Sequence, residues 1–174
     1  MGHFFPAFPA FFAHRMNDTP FEQAWIISLR LLAASPKSTK ELARRLASKC
    51  FAEDIISKVV TKLENERYLN DEVLARQLLE KFTRLQPSGS KRILFELKRR
   101  GIPAAICNSV VSALVEDKEA DRAMEIGMAR WEKSEKLPLL KRKKKVFDYL
   151  LRRGFNYQQS RDIVEKLETS AEQL

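Results

Sequence analysis

The amino-acid sequence predicts an all-α protein made of three tandem three-helix repeats that form an elongated, curved array. Apolar residues recur at helical spacing from Thr19 onward. No stretch of alternating residues rich in Val, Ile and Thr indicates a strand. The third observation is self-similarity at a period of about fifty residues, which is typical of tandem units that are each too small to bury their own apolar faces.

The apolar spacing predicts helices whose ends are defined to within a few residues. They cover residues 21–34, 38–49, 52–66, 70–85, 89–100, 103–115, 117–134, 139–153 and 156–169. Several begin with residues that cap helix N-termini, because their side-chain oxygens accept hydrogen bonds from free backbone N–H groups. These caps are Ser38 or Thr39 before Glu41, Asn70 before Val73, and Ser88 or Ser90 before Ile93.

A short motif ends the middle helix of each repeat. It reads LKRRG at Leu97–Gly101 and LLRRG at Leu150–Gly154, and a weaker third copy reads LASKC at Leu46–Cys50. An apolar residue follows each copy and can anchor the turn to the core. These anchors are Phe51, Ile102 and Phe155.

The last residue of the motif is expected to adopt a left-handed backbone conformation, which glycine accepts without steric cost. Gly101 and Gly154 therefore predict tight structural turns between two helices. Cys50 stands in place of glycine, so the first turn is predicted to be strained by about 1 kcal/mol or closed differently. The basic residues before the glycines face the negative end of the helix dipole, which explains part of their charge.

The repeats divide the chain into four segments. Residues 1–18 are predicted to be a tail, followed by repeats at 19–68, 69–116 and 117–170. The tail begins MGHFFPAFPAFFAHR, which lacks the basic start and the cleavage site of a signal peptide. We interpret it as a disordered tail or as the product of a start codon assigned too early, with Met16 beginning the chain.

Cysteine usage and hydropathy indicate a reduced, cytoplasmic protein. Cys50 and Cys107 are too few for a disulfide framework, and both are interpreted as buried apolar residues. No segment approaches the roughly 18 consecutive apolar residues that a membrane-spanning helix needs. We expect a monomer that does not enter membranes.

Positive charge is concentrated at equivalent positions of the second and third repeats. Residues 88–101 hold five basic residues and one acidic residue, and residues 136–153 hold eight basic residues and one acidic residue. A stacked array would present them as a basic stripe suited to a polyanion, either DNA phosphate or an acidic protein groove. The stripe consists of Lys91, Arg92, Lys98, Arg99, Arg100, Lys141, Arg142, Lys143, Lys144, Lys145, Arg152 and Arg153.

A solvated face that keeps the protein soluble is the alternative explanation for these charges. Three aromatic residues lie near the stripe, and their helical spacing predicts core positions rather than stacking platforms for bases. They are Phe95, Phe147 and Tyr149. Readout of a specific base sequence is therefore not expected, although three-helix units superficially resemble helix-turn-helix proteins.

The sequence contains no residue pattern of an enzyme, a cofactor site or a metal site. His3 and His14 both lie in the tail, so the predicted folded part has no histidine for acid-base chemistry or metal binding. There is no glycine-rich phosphate loop and no Gly-x-Ser-x-Gly motif. Asp71 and Glu72 stand at a helix end and are interpreted as capping residues rather than as an acid-base pair.

Three stretches of the sequence resemble, in order, signatures of the RecX family, which are small bacterial regulators of the RecA recombinase. They are ERYLNDEVLARQLLEKF (Glu66–Phe82), PSGSKRILFELKRRGI (Pro87–Ile102) and VFDYLLRRGF (Val146–Phe155). The resemblance covers about residues 20–168. Asn70 stands where the family usually has Asp, and Cys50 where glycine is usual, so the departures concern a cap and a turn.

The resemblance implies three tandem three-helix repeats that lie in the groove of the RecA–DNA filament and restrain its ATPase activity and strand exchange. It therefore implies a non-enzymatic regulator of recombination and DNA repair, with the RecA filament as partner and no cofactor. Non-specific binding to single- or double-stranded DNA is a further expectation. The alternative is a general nucleic-acid-binding helical protein that affects recombination only by competing for DNA.

Overall fold

The computed structural model describes residues 19–115 and 119–172, without the side chains of residues 113–115 and 171–172. Every regular element in these ranges is helical. The elements are α1 (Pro20–Ala34), α2 (Thr39–Ala47), α3 (Glu53–Asn65), α4 (Asp71–Glu80), α5 (Ser90–Arg99), α6 (Ala104–Val115), α7 (Glu119–Glu132), α8 (Leu139–Arg152) and α9 (Tyr157–Glu172), with a π-helical turn at Lys81–Leu85. The predicted tail, its two histidines and the predicted boundary between residues 116 and 117 lie outside the described residues.

Each set of three consecutive helices encloses its own hydrophobic core, which defines repeat 1 (α1–α3), repeat 2 (α4–α6) and repeat 3 (α7–α9). Burying a large apolar side chain contributes about 1.5–3 kcal/mol, so several such residues stabilise each unit. The most buried members are Leu42, Leu46 and Leu63 in repeat 1, Ile93, Leu97 and Cys107 in repeat 2, and Val146, Leu150 and Phe155 in repeat 3. The predicted all-α fold of three tandem three-helix repeats is confirmed.

The turns that end α2, α5 and α8 share one hydrogen-bond pattern. In repeat 2, the Gly101 backbone N–H donates to the Lys98 carbonyl at 2.9 Å, and the Ile102 N–H donates to the Leu97 carbonyl at 3.1 Å. These two bonds form a Schellman motif, which satisfies the free carbonyls at a helix end. The residues at the left-handed position are Cys50, Gly101 and Gly154, with φ of 64°, 77° and 87° respectively.

Cys50 therefore closes its turn in the same way as the glycines. A side chain in the left-handed region costs roughly 1–2 kcal/mol, so the first of the two predicted outcomes, a strained turn, is the one observed. The prediction that both cysteines are buried is wrong for Cys50, which is exposed, and correct for Cys107. Burial raises the pKa of the Cys107 thiol above its ordinary value, which favours the uncharged form.

The predicted N-terminal caps are observed for two of the three helices. Ser38 forms a reciprocal capping box with Glu41, and the Asn70 side chain accepts hydrogen bonds from the first turn of α4. The third prediction was wrong, because Gly89 rather than Ser88 or Ser90 is the cap of α5. Gly89 contributes no side-chain cap, and its backbone bonds to another repeat instead.

The predicted helix at residues 70–85 is interrupted in its last turn. Regular α-helix ends at Glu80, and residues Lys81–Leu85 widen into a π-helical turn. The Thr83 hydroxyl donates to the carbonyls of Leu79, at 3.0 Å, and Glu80, at 3.2 Å. A threonine hydroxyl that bonds back to its own helix competes with regular hydrogen bonding, which is consistent with the irregular turn here.

Candidate polyanion interface

Repeats 1 and 2 meet where the C-terminal end of α5 reaches the N-terminal end of α2. The Ser38 hydroxyl, at the N-cap of α2, donates to the carbonyl of Arg100 at 2.5 Å. The Arg100 guanidinium donates to the Pro36 carbonyl at 3.3 Å, and it lies 3.9 Å from the Glu41 carboxylate. The Thr39 backbone N–H also donates to the Asp71 carboxylate, at 2.8 Å.

Repeats 2 and 3 meet through the equivalent helix ends. The Gly89 backbone N–H, at the N-cap of α5, donates to the carbonyl of Arg153 at 2.9 Å. The Arg92 guanidinium donates to the Arg152 carbonyl at 3.2 Å. At the first residue of α5, the Ser90 backbone N–H donates to the Glu119 carboxylate of repeat 3 at 3.2 Å.

The middle helices of the three repeats therefore join end to end in the order α8, α5, α2, and we call this arrangement the helix row. At each joint the carbonyl of the C-cap residue of one helix accepts a hydrogen bond from the N-cap residue of the next. The negative end of one helix dipole thus meets the positive end of another, which is the favourable orientation. The row joins the basic helices of repeats 2 and 3 at their ends.

The glycines of the turns are required by these joints as well as by their own backbone conformation. A methyl group on Gly101 would lie 2.6 Å from Cδ of Lys40, and one on Gly154 would lie 2.5 Å from the backbone nitrogen of Arg92. Both distances are far inside van der Waals contact. Cys50 lies in the turn that follows α2, and its side chain is exposed among the described residues.

The α8 end of the row differs from the other two helix starts. Helix α8 begins at Leu139, eleven residues before Leu150, whereas α2 and α5 each begin seven residues before the equivalent leucine. This extra turn exposes Leu140, of which 80% is accessible. The residue at the position equivalent to Gly89 is Arg142, whose guanidinium lies 4.1 Å from the centre of the Trp131 ring.

The predicted stripe residues form two groups in the structure, and Lys145, which is half-buried, stands apart from both. The first group is exposed to solvent and comprises Lys91, Lys98, Arg99, Lys141, Lys144 and Arg152. The other group consists of half-buried residues that hold the fold or its joints together: Arg92, Arg100, Arg142, Lys143 and Arg153. The exposed group is the part of the row that faces solvent, and within it the Arg99 guanidinium is already paired with Glu96.

Repeat 3 shows how the half-buried residues are held. Arg142 donates to the Trp131 carbonyl at 3.0 Å in addition to its ring contact. Lys143 forms an ion pair of 2.6 Å with Glu168 on α9. The Arg153 guanidinium lies 5.6 Å from the centre of the Tyr149 ring. These contacts assign structural roles to residues that the sequence predicts as partner contacts.

The prediction of a core position was wrong for Phe95. Its side chain is 61% exposed. It lies on α5 one helical turn from both Lys91 and Arg99, and therefore on the same face as these cations. Phe147 is partly buried against the core of repeat 3 and meets Tyr157 edge to face at 5.2 Å. The row thus carries an exposed aromatic ring among basic residues.

Repeat 1 contributes basic residues to the interface that the sequence analysis did not identify. A cleft of about 540 Å³ lies at the joint of repeats 1 and 2, and its lining includes Lys37, Arg44, Arg45, Arg99 and Arg100. The sequence signal for it is the pair Arg44 and Arg45, which lie six and five residues before Cys50. Residues 37–50 hold five basic residues and one acidic residue, the same count as residues 88–101, so the charge count could have included this segment.

The described part of the chain shows neither a metal-binding cluster nor a membrane-spanning helix. Within residues 19–115 and 119–172, no group of three or more His, Cys, Asp or Glu residues is placed to hold a metal ion. None of the helices in these ranges is long and apolar enough to cross a membrane. The architecture defines a tandem three-helix repeat protein whose basic middle helices join end to end.

Comparison with known proteins assigns this architecture to a family. Residues 24–63 match the family model for the first three-helix domain of RecX, and residues 116–164 match that for the third. Regulatory protein RecX of Clostridioides difficile is 30% identical over 152 residues, which cover 87% of this chain and 71% of the relative. The RecX protein of Finegoldia magna is 31% identical over 156 residues, covering 87% and 75%. The chain belongs to the RecX family of regulatory proteins.

Two solved structures of RecX proteins share the fold of this chain. The crystal structure of RecX from Lactobacillus salivarius superposes with a TM-score of 0.73 at 20% identity, and the match covers 86% of this chain and 97% of that one. A second crystal structure of a regulatory protein RecX gives a TM-score of 0.70 at 16% identity, covering 84% and 72%. The array of three-helix repeats is therefore the fold of known RecX proteins.

Proposed function

We propose that this protein is a non-enzymatic regulator that binds the RecA–DNA filament and inhibits its ATPase activity and strand exchange. Membership of the RecX family supports a regulatory role. The observation that carries the proposal is the helix row, because it joins α5 and α8, which both carry exposed cations, end to end. A filament of protein and DNA offers acidic groups along its length, so an extended basic row suits it better than a compact basic patch does.

The exposed cations carry the binding in this proposal. Lys91 and Lys98 on α5, and Lys141 and Lys144 on α8, are exposed and form no ion pair within the described ranges. Surface charge changes usually alter stability by less than about 0.5 kcal/mol, so these four lysines can be reversed without unfolding the protein. Long-range steering by such charges accelerates association and weakens with added salt.

The test is a DNA-dependent RecA ATPase assay with this protein at concentrations well below that of DNA sites. The variants Lys91→Glu/Lys98→Glu and Lys141→Glu/Lys144→Glu should each inhibit less than the parent, and the combined variant least. Arg76→Glu/Arg84→Glu is the control with the same charge change, since both arginines are exposed and lie outside the row. It should inhibit like the parent.

Two results would contradict the proposal. A folded variant with all four lysines reversed that inhibits like the parent would show that the row is only a solvated face. Inhibition by the parent that appears only when it saturates the DNA would favour the general nucleic-acid-binding protein that competes for the strand. Electron microscopy of RecA filaments with and without the protein then shows whether it caps, dismantles or locks them.

A further inference from the structure

We infer that the cleft between repeats 1 and 2 binds the phosphodiester backbone of single-stranded nucleic acid, with Phe95 as the stacking surface for a neighbouring base. The inference extends the proposed function, since it adds a direct contact with DNA to the contact with RecA. It does not depend on RecA regulation, because the site is complete in this chain alone. Its residues come from α2, α5 and the segment before α2.

The charge of the cleft is strongly unbalanced. Five cations line it, and Glu41 is the acidic residue in its lining. The Glu41 carboxylate is already engaged, because it accepts from the Ser38 backbone N–H at 3.1 Å and lies 3.9 Å from Arg100. Arg44 and Arg45 are exposed and form no ion pair in the parts of the chain that the structure describes. Two arginines are therefore free for an anion.

Arginine suits phosphate better than lysine does. Its planar guanidinium presents donors in a fork that matches two oxygens of one phosphate. The cleft also holds Arg99, whose guanidinium is bound on one side by Glu96 at 2.7 Å while 62% of its side chain stays exposed. An anion in this cleft would contact helix ends from both repeats and thereby hold them together.

The lining favours a phosphodiester over an acidic peptide. Pro36 is the apolar residue among the nine that line the cleft. Peptide recognition usually needs apolar pockets for side chains, and the described residues form none in this cleft. A nucleic-acid strand needs positive charge along its backbone and a flat ring for its bases, and both are present.

Phe95 provides the flat ring and selects single strands. It lies one helical turn before Arg99 on the same face of α5, and 61% of it is exposed. Bases of a single strand are free to stack on such a ring, whereas those of a duplex already stack on each other. The same ring therefore helps single-stranded binding and adds little to duplex binding.

The experiment measures binding of fluorescent oligo-dT and of a duplex of equal length to the full chain, without RecA, over a range of salt. The variant Arg44→Gln/Arg45→Gln should flatten the salt dependence of oligo-dT binding by roughly 0.7 per lost phosphate contact. Arg76→Gln/Arg84→Gln removes the same charge outside the cleft and should leave the slope unchanged. Circular dichroism checks that every variant is folded.

The variant Phe95→Leu tests the stacking surface separately. It should weaken oligo-dT binding about five- to hundredfold and leave duplex binding near that of the parent. If Arg44→Gln/Arg45→Gln binds oligo-dT with the same salt dependence as the parent, the cleft is not the binding site. If Phe95→Leu weakens binding of oligo-dT and of the duplex equally, Phe95 is not the stacking surface. Competition by oligo-glutamate as effective as by unlabelled oligo-dT would assign the cleft to an acidic peptide instead.

Discussion

The backbone N–H of Gly89 donates a hydrogen bond of 2.9 Å to the carbonyl of Arg153, and this bond joins two helices from different repeats end to end. Gly89 has φ −81° and ψ 164°, which any residue adopts. A methyl group there would nevertheless lie 2.5 Å from the carbonyl carbon of Gly154. Glycine is therefore required by the neighbouring repeat and not by the local backbone.

Replacing Gly89 with alanine should separate repeats 2 and 3. We expect a loss of about 1–3 kcal/mol in the free energy of unfolding, as for overpacked sites, since the clash is with backbone that cannot rotate away. Urea unfolding followed by circular dichroism measures it. A variant as stable as the parent would show that the joint opens at little cost.

The two glycine turns should differ in their tolerance of alanine. Gly101→Ala and Gly154→Ala both place a side chain in the left-handed region, which costs roughly 1–2 kcal/mol. The Gly154 variant should lose more, because it meets the backbone of Arg92 whereas the Gly101 variant meets the side chain of Lys40. Thermal unfolding measures the stability loss of each variant. A larger loss for Gly101→Ala than for Gly154→Ala would contradict the geometry of the joints.

Cys50→Gly makes the opposite change at the equivalent position of the first turn. It relieves the left-handed strain without opening a cavity, because Cys50 is exposed. The change should be neutral or should stabilise the protein by up to about 1 kcal/mol. A clear loss of stability in the same thermal unfolding experiment would show that the Cys50 side chain makes a necessary contact.

Ser38 should contribute more to stability than an ordinary helix cap. Both Thr19 and Ser38 form capping boxes, but Ser38 also donates to the Arg100 carbonyl in repeat 2. Thr19→Ala should cost about 1 kcal/mol, and Ser38→Ala should cost about 1 kcal/mol more because the inter-repeat bond is lost as well. Equal losses in urea unfolding would mean that this bond contributes nothing to the joint.

Thiol labelling should distinguish the two cysteines. A water-soluble aromatic disulfide should modify Cys50 rapidly in the native protein, since its side chain is exposed. Cys107 should react only after unfolding, because burial hides it and raises its thiol pKa, which lowers the reactive thiolate fraction. Rapid modification of both cysteines under native conditions would contradict the core of repeat 2.

The sequence was sufficient for the helices, the turns and the number of repeats, because these depend on local apolar spacing and on short motifs. It was not sufficient for the joints, since Ser38 and Arg100 lie 62 residues apart and no local pattern connects them. The charge count located the basic helices, but it could not separate Lys143, bound to Glu168, from the exposed Lys144. Phe95 was misplaced because it stands beside core residues in a short apolar run.

The two ends of the helix row differ from its two internal joints. At one end the turn at Cys50 carries a side chain where a docking turn carries glycine. At the other end α8 has an extra N-terminal turn, and Arg142, in contact with Trp131, stands at the position equivalent to Gly89. Among the described residues, neither end of the row therefore reproduces the contact between a glycine turn and a helix cap that forms each internal joint.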